Sequence, residues 1–296
     1  MVDQADNLRK LVAFSPTQAQ EEEARDPRLQ KARILSITSG KGGVGKTSIA
    51  INLAYALRQC HKKTLIIDAD LGLANVNILL GLTAEWTLKD VIEQKKSISE
   101  IILTTPDQLH VLPAPSGVEE MTHLSIQQKL YLKSQFDLLD QRFDFILIDT
   151  AAGISANVMA FNQMAQTVMV VISPDPTSFA DAYAVIKLLF IKYKVRDFRV
   201  ITNNVRNTSE GKDLFQKLEK ICQRFLSIPI HYLGSLSTDP KFVSSSRNQQ
   251  IALKHYPKAT ISKEMQRIAE LICGMPYNAW TNKNISYLLT SILNLG

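Results

Sequence analysis

Short apolar runs alternate with segments of helical period over most of this chain. The runs are Arg33-Ile34-Leu35-Ser36-Ile37-Thr38-Ser39, Thr64-Leu65-Ile66-Ile67-Asp68, Leu109-His110-Val111-Leu112 and Phe145-Ile146-Leu147-Ile148-Asp149, followed by 167–172, 198–202 and 230–233. Each is aliphatic and short enough for a buried strand. Between them, 46–59 places Ile49, Leu53, Ala56 and Leu57 at helical spacing, and 125–139, 178–193, 211–225 and 262–273 have the same character. Strand and helix in alternation predict an α/β fold, a mostly parallel sheet with helices on both faces. Ligands of such sheets bind outside the carboxyl ends of the strands. The segments after 33–39, 64–68 and 145–149 are therefore where chemistry is expected.

The two ends of the chain differ from this body. Within 3–12, Ala5, Leu8, Leu11 and Val12 share one helical face, and 15–23 is a polar stretch with Ser15, Pro16 and three glutamates. A helix of about ten residues does not persist alone in water. An apolar-faced segment on a flexible tether has the form of a peptide that folds on its partner. At the other end, Ile285, Leu288, Leu289, Ile292 and Leu293 oppose Asn284, Ser286, Thr290, Ser291 and Asn294, an amphipathic pattern over 280–295. Lys283 is the one cation there, so the basic face of a membrane-surface helix is missing. Packing on the protein's own body and contact with a membrane both remain open for it. The organisation expected is a docking segment and tether over 1–32, one catalytic domain over 33–275, and an amphipathic helix over 276–296.

Composition narrows the setting. Cys60, Cys222 and Cys273 are far apart, odd in number and without metal-ligand spacing, which suits a reducing cytoplasm. The start, Met1-Val2-Asp3-Gln4, is unlike a signal peptide. A net charge of +6 is scattered rather than gathered into a dense basic block, which argues against DNA as a partner.

The strongest chemical signal is Gly40-Lys41-Gly42-Gly43-Val44-Gly45-Lys46-Thr47-Ser48, set between a strand and a helix. Glycines let backbone N–H groups turn onto phosphate oxygens, Lys46 suits the β/γ-phosphates, and Thr47 supplies a hydroxyl for Mg²⁺. Lys41 has no role in that template. Its place at the mouth of the loop suits a γ-phosphate held by another copy of the chain, which points to ATP and to an ATP-dependent homodimer. Asp149, in Asp149-Thr150-Ala151-Ala152-Gly153, is expected at a strand end, holding Mg²⁺ through water, and Gly153 is placed to bring an N–H to the γ-phosphate. In Asp68-Ala69-Asp70-Leu71-Gly72-Leu73-Ala74-Asn75, Asp68 joins the metal set and Asp70 lies near the attacking water. Asn203, after the strand at 198–202, fits either an adenine edge or a turn cap. Asp239, before Pro240, fits either the base pocket or a helix cap.

On these residues the chain resembles the MinD/ParA class of deviant-Walker P-loop ATPases over about 33–275. Gly40 to Thr47 carries the signature, Asp68 to Asn75 resembles the first switch, and Asp149 to Gly153 the second. The resemblance implies that Lys41 crosses the dimer, that Asp70 orients the water, and that Asn75 joins the nucleotide contacts. Within the class the chain is most similar to the flagellar-number regulators of the FlhG/FleN family. The residues concerned are Asp3-Gln4-Ala5-Asp6-Asn7-Leu8-Arg9, 174–183 and Asn203-Asn204-Val205-Arg206-Asn207. That likeness implies that 3–12 activates an FlhF-like, signal-recognition-type GTPase. It also implies a flagellar transcription regulator and the flagellar basal body as further partners, with a place on the inner membrane face at the pole. Asn77 and Ala151 depart from the family pattern without removing a catalytic group. A positioning ATPase for division machinery or DNA cargo is the alternative. An iron–sulfur scaffold ATPase would need a CxxC pair, which is absent.

Overall fold

Burial on both faces is what turns these aliphatic runs into the strands of a parallel sheet. The computed structural model describes residues 31–70, 76–113 and 125–275. Within them the strands are β1 Arg33–Ser39, β2 Thr64–Ala69, β3 Leu103–Thr104, β4 His110–Leu112, β5 Phe145–Ala152, β6 Thr167–Ile172, β7 Phe198–Val205 and β8 His231–Ser237. They form one sheet in the order β3-β4-β2-β5-β1-β6-β7-β8. Every neighbouring pair is parallel except the short β3–β4 edge, which is antiparallel. All six residues of β2 and of β6 are buried.

The helices are α1 Lys46–Gln59, α2 Val76–Leu79, α3 Leu88–Ile92, α4 Ile98–Ile101, α5 Ile126–Arg142, α6 Ala156–Met164, α7 Pro176–Ile191, α8 Thr208–Leu226, α9 Pro240–Arg247, α10 Ala252–His255 and α11 Thr260–Gly274. One core lies between the sheet and α3 to α8, with Leu132, Phe136, Val185 and Leu218 at its centre. The other lies beneath α1, α10 and α11, with Leu53, Leu57, Met265 and Ile268. Their starts follow local chemistry. Ser125 caps α5 in a reciprocal box with Gln128, and Asp175 caps α7 with Pro176 in its first turn.

The long strands and helices match their sequence expectations to within a few residues. The short helices α2, α3, α4, α6 and α10 carry too few turns to show a period. The strand order positions the site. From β1 the chain crosses to β2, with β5 inserted between them, and later crosses to β6 on the other side of β1. That reversal is a switch point, and it leaves a crevice at the carboxyl end of β1.

Candidate active site

The crevice is filled by the loop from Gly40 to Gly45. Gly45 is the N-cap of α1 at φ +95°, in the left-handed region, and no side chain caps the helix. The first-turn N–H groups are thus left for an anion. Gly40 is required for a different reason: a Cβ there would collide with the backbone of Asp181 on α7. Gly42 and Gly43 face open space, with Ala152 Cβ at 4.0 Å from a Cβ placed at Gly42 and nothing within 4 Å at Gly43. The Ser39 hydroxyl donates to Lys41 O at 2.6 Å, and Ser48 Oγ meets Ser246 Oγ at 2.8 Å, tying α1 to α9.

The two lysines sit in opposite environments. Lys46 is 8% exposed, and burial lowers its pKa from the ordinary lysine value against the opposing pull of Asp149 and then Asp70. Lys41 is at the surface, with Nζ 2.9 Å from Asp175 Oδ2. That carboxylate also accepts from Thr177 N at 2.8 Å and Ser178 N at 3.2 Å as the cap of α7. The ammonium of Lys41 first, then the Thr177 hydroxyl and the backbone N–H groups, hold Asp175 well below the usual carboxylate range. Sequence reading missed this partner. An Asp-Pro pair opening a helix signals a cap, and nothing in it signals an ion pair with a loop over a hundred residues earlier.

Asp68 and Asp149 stand side by side in the β2–β5 register. The strand β5 continues to Ala152, so Asp149 lies inside it rather than at its end as expected, and is 1% exposed. Burial pushes its pKa up to about 7, a hydrogen bond from the Thr47 side chain pulls it down, and the neighbouring Asp68 pushes it up. Its Oδ1 is buried without a hydrogen-bond partner. An orphaned carboxylate oxygen beside a threonine hydroxyl is a hard-oxygen donor set suited to Mg²⁺. Asp68, expected among the metal ligands, accepts from Asp70 N and Val76 N, each at 3.1 Å, and so joins the residues on either side of 71–75. Asn75 lies outside the described residues.

The remaining candidates brace the loop. Gly153, at φ +95°, donates its N–H to Ser39 O at 2.9 Å, so turning it onto a phosphate requires that bond to open. Asn203 is 7% exposed, and its Nδ2 donates to Val44 O at 2.8 Å, beneath the loop. That contact was not expected from sequence. Asp239 caps α9, accepting from Lys241 N at 2.8 Å. Asn162 on α6 is a further buried brace: it accepts from Ser36 Oγ at 2.8 Å and donates to Thr38 Oγ1 at 3.1 Å, locking the strand that leads into the loop. Asn162 is one of three amide side chains in this helix, with Asn157 and Gln163, and nothing in the sequence singles it out for such a task.

Residues 32–198 match the family described as an AAA domain. The chain is 36% identical to the antiactivator FleN of Pseudomonas aeruginosa, over 90% of this chain and 95% of that protein. It is 33% identical to the flagellum site-determining protein YlxH of Helicobacter pylori, over 81% of each. Among solved structures, the MinC:MinD cell division protein complex of Aquifex aeolicus superposes with a TM-score of 0.65 at 26% identity, covering 83% of this chain and 98% of that one.

Proposed function

Because the chain belongs to the MinD/ParA family of P-loop ATPases, we propose that it is an ATP-dependent dimer that sets flagellar number and placement. The observation that carries the catalytic part is the meeting, at one loop, of a buried Lys46, an orphaned Asp149 oxygen and a surface Lys41. The likeness to FleN and YlxH over most of the chain supports the flagellar part.

In this reading the N–H groups of the loop and Lys46 hold the phosphates of ATP. Thr47 and Asp149 hold Mg²⁺, which neutralises charge on the phosphates when bound. Asp70 orients the attacking water. Lys41 leaves Asp175 and reaches the nucleotide of a second copy. Gly153 exchanges Ser39 O for the γ-phosphate and thereby reports its presence to the dimer face. Asn203, Asp239 and Asn75 are the base and nucleotide contacts of the same reading.

The flagellar partners enter through the ends. Residues 3–12 act on an FlhF-like GTPase, with Gln4 and Asp6 reaching its catalytic centre. A glutamine commonly orients water in GTPases. A flagellar transcription regulator and the basal body are further partners, and 280–295 is the candidate for membrane contact at the pole. Both end segments lie outside the described residues, and none of the described helices is long and apolar enough to cross a membrane. A synthetic peptide of residues 1–20 tests the assignment. It should speed GTP hydrolysis by the cognate GTPase, and lose the effect when Gln4 and Leu8 are replaced by alanine. An inert wild-type peptide would remove the flagellar reading and favour a general positioning ATPase.

A further inference from the structure

The solvent face of α5 is apolar where a surface helix ordinarily carries charge. Ile126 is 70% exposed, Leu130 56% and Leu138 50%, at successive multiples of four residues. Ser134 completes the row, and its hydroxyl is turned onto Tyr131 O at 2.7 Å. The exposed residues beside the row are the amides Gln127 and Gln141, and the exposed Arg142, one turn after Leu138, closes the row with a cation. The charged pair Lys133–Asp137, at 3.2 Å, lies on the flank. The opposite side of the helix, Leu132, Phe136 and Leu139, is already in the core. Among the described residues the row is therefore a ridge left over after packing.

We infer that this ridge is the resting place of the chain's own N-terminal segment, through Leu8, Leu11, Val12 and Phe14. The reason is where that segment joins the fold. Ala32 N donates to Asp140 O at 3.0 Å, so the chain enters β1 directly beside the last turn of α5. Some seventeen residues separate Phe14 from that point. A random-coil chain of this length has an end-to-end distance of about 20–25 Å. The ridge belongs to a helix of about 25 Å. The match of tether to span gives an effective concentration in the millimolar range, enough to hold a small apolar contact that would fail between separate molecules. The C-terminal segment leaves the fold near the same edge, Met275 O accepting from Arg33 Nη1 at 3.0 Å, and its seating on the ridge instead would leave residues 5–14 exchanging at the peptide rate.

Docking hides the apolar face through which residues 3–12 would bind another protein, so the segment is stored until a partner competes for it. The docking itself does not depend on which partner that is, and it is tested without one. Hydrogen exchange of the amides of residues 5–14 is measured in the full nucleotide-free protein at two protein concentrations and in the free 1–20 peptide. Exchange in the full chain should be at least ~10-fold slower than in the peptide, independent of concentration, and should return to the peptide rate when Leu130→Glu and Leu138→Glu are combined. Those exposed positions leave the core untouched, and ATP turnover should match wild type. Peptide-like exchange in the wild type would overturn the inference. So would protection that grows with protein concentration, which means a second copy, or protection that survives both substitutions, which means another site.

Discussion

Replacing Gly45 by alanine should damage the loop in two separable ways. Gly45 sits at φ +95°, a conformation that costs an L-residue about 1–2 kcal/mol. Its new Cβ would also lie 2.6 Å from Asn203 Nδ2, well inside contact distance. Asn203 must then release Val44 O, and a buried donor or acceptor left unpaired costs about 1–3 kcal/mol. The total is about 2–5 kcal/mol. Gly43→Ala is the internal reference, because its φ is +78° with nothing within 4 Å of the added atom, so only the conformational cost of about 1–2 kcal/mol applies. Urea unfolding of the two variants should therefore differ by about 1–3 kcal/mol. In an Asn203→Ala background the difference should shrink to within about 0.5 kcal/mol, because the residue that Gly45→Ala strikes is gone. Equal costs for Gly43→Ala and Gly45→Ala, or a difference unaffected by Asn203→Ala, would refute the brace.

Asp70→Ala should still bind MgATP while turnover drops by roughly 10²–10⁴, the scale of positioned water and acid–base assistance; unchanged turnover in a steady-state assay would reject the role. Asp175→Asn preserves the cap of α7 but loosens Lys41, so ATP-driven dimerisation should need several-fold less protein by sedimentation, and an unshifted midpoint would show that the ion pair does not restrain Lys41. Asp149 ionises near 4 in the unfolded chain and at about 7 in the fold, so the metal-free, nucleotide-free protein should lose stability as pH rises from 4 to 7, by about 4 kcal/mol at most, and level off above that. Asp149→Asn should abolish this slope in urea melts at pH 5 and 8, and parallel curves for the two proteins would contradict the buried-acid assignment.

Much of the fold was legible because period and length carry it. Strands such as Thr64–Ala69 are buried on both faces and so are aliphatic throughout. Helices such as Thr208–Leu226 expose one face and show it in their spacing. The loop from Gly40 to Thr47 was legible because phosphate binding demands glycine, lysine and threonine at fixed steps. What escaped was long-range polar chemistry. Asp175 meets Lys41, Asn203 meets Val44 and Asn162 meets Ser36 only after the sheet has brought distant strands together. The place of Asp149 was misjudged for a related reason. A strand's end depends on its neighbours, and β5 is lengthened to Ala152 by pairing with β1 and β2.

The central claim is that Lys46 serves its own subunit's nucleotide and Lys41 that of a second copy. Sedimentation velocity on the hydrolysis-deficient Asp70→Ala protein tests it most directly. With MgADP the protein should sediment as a monomer, and with MgATP as a dimer. Adding Lys41→Ala should return the MgATP sample to monomer while ATP binding, read by equilibrium dialysis, is retained. A dimer that survives Lys41→Ala, or an Asp70→Ala protein that stays monomeric with saturating MgATP, would contradict the account.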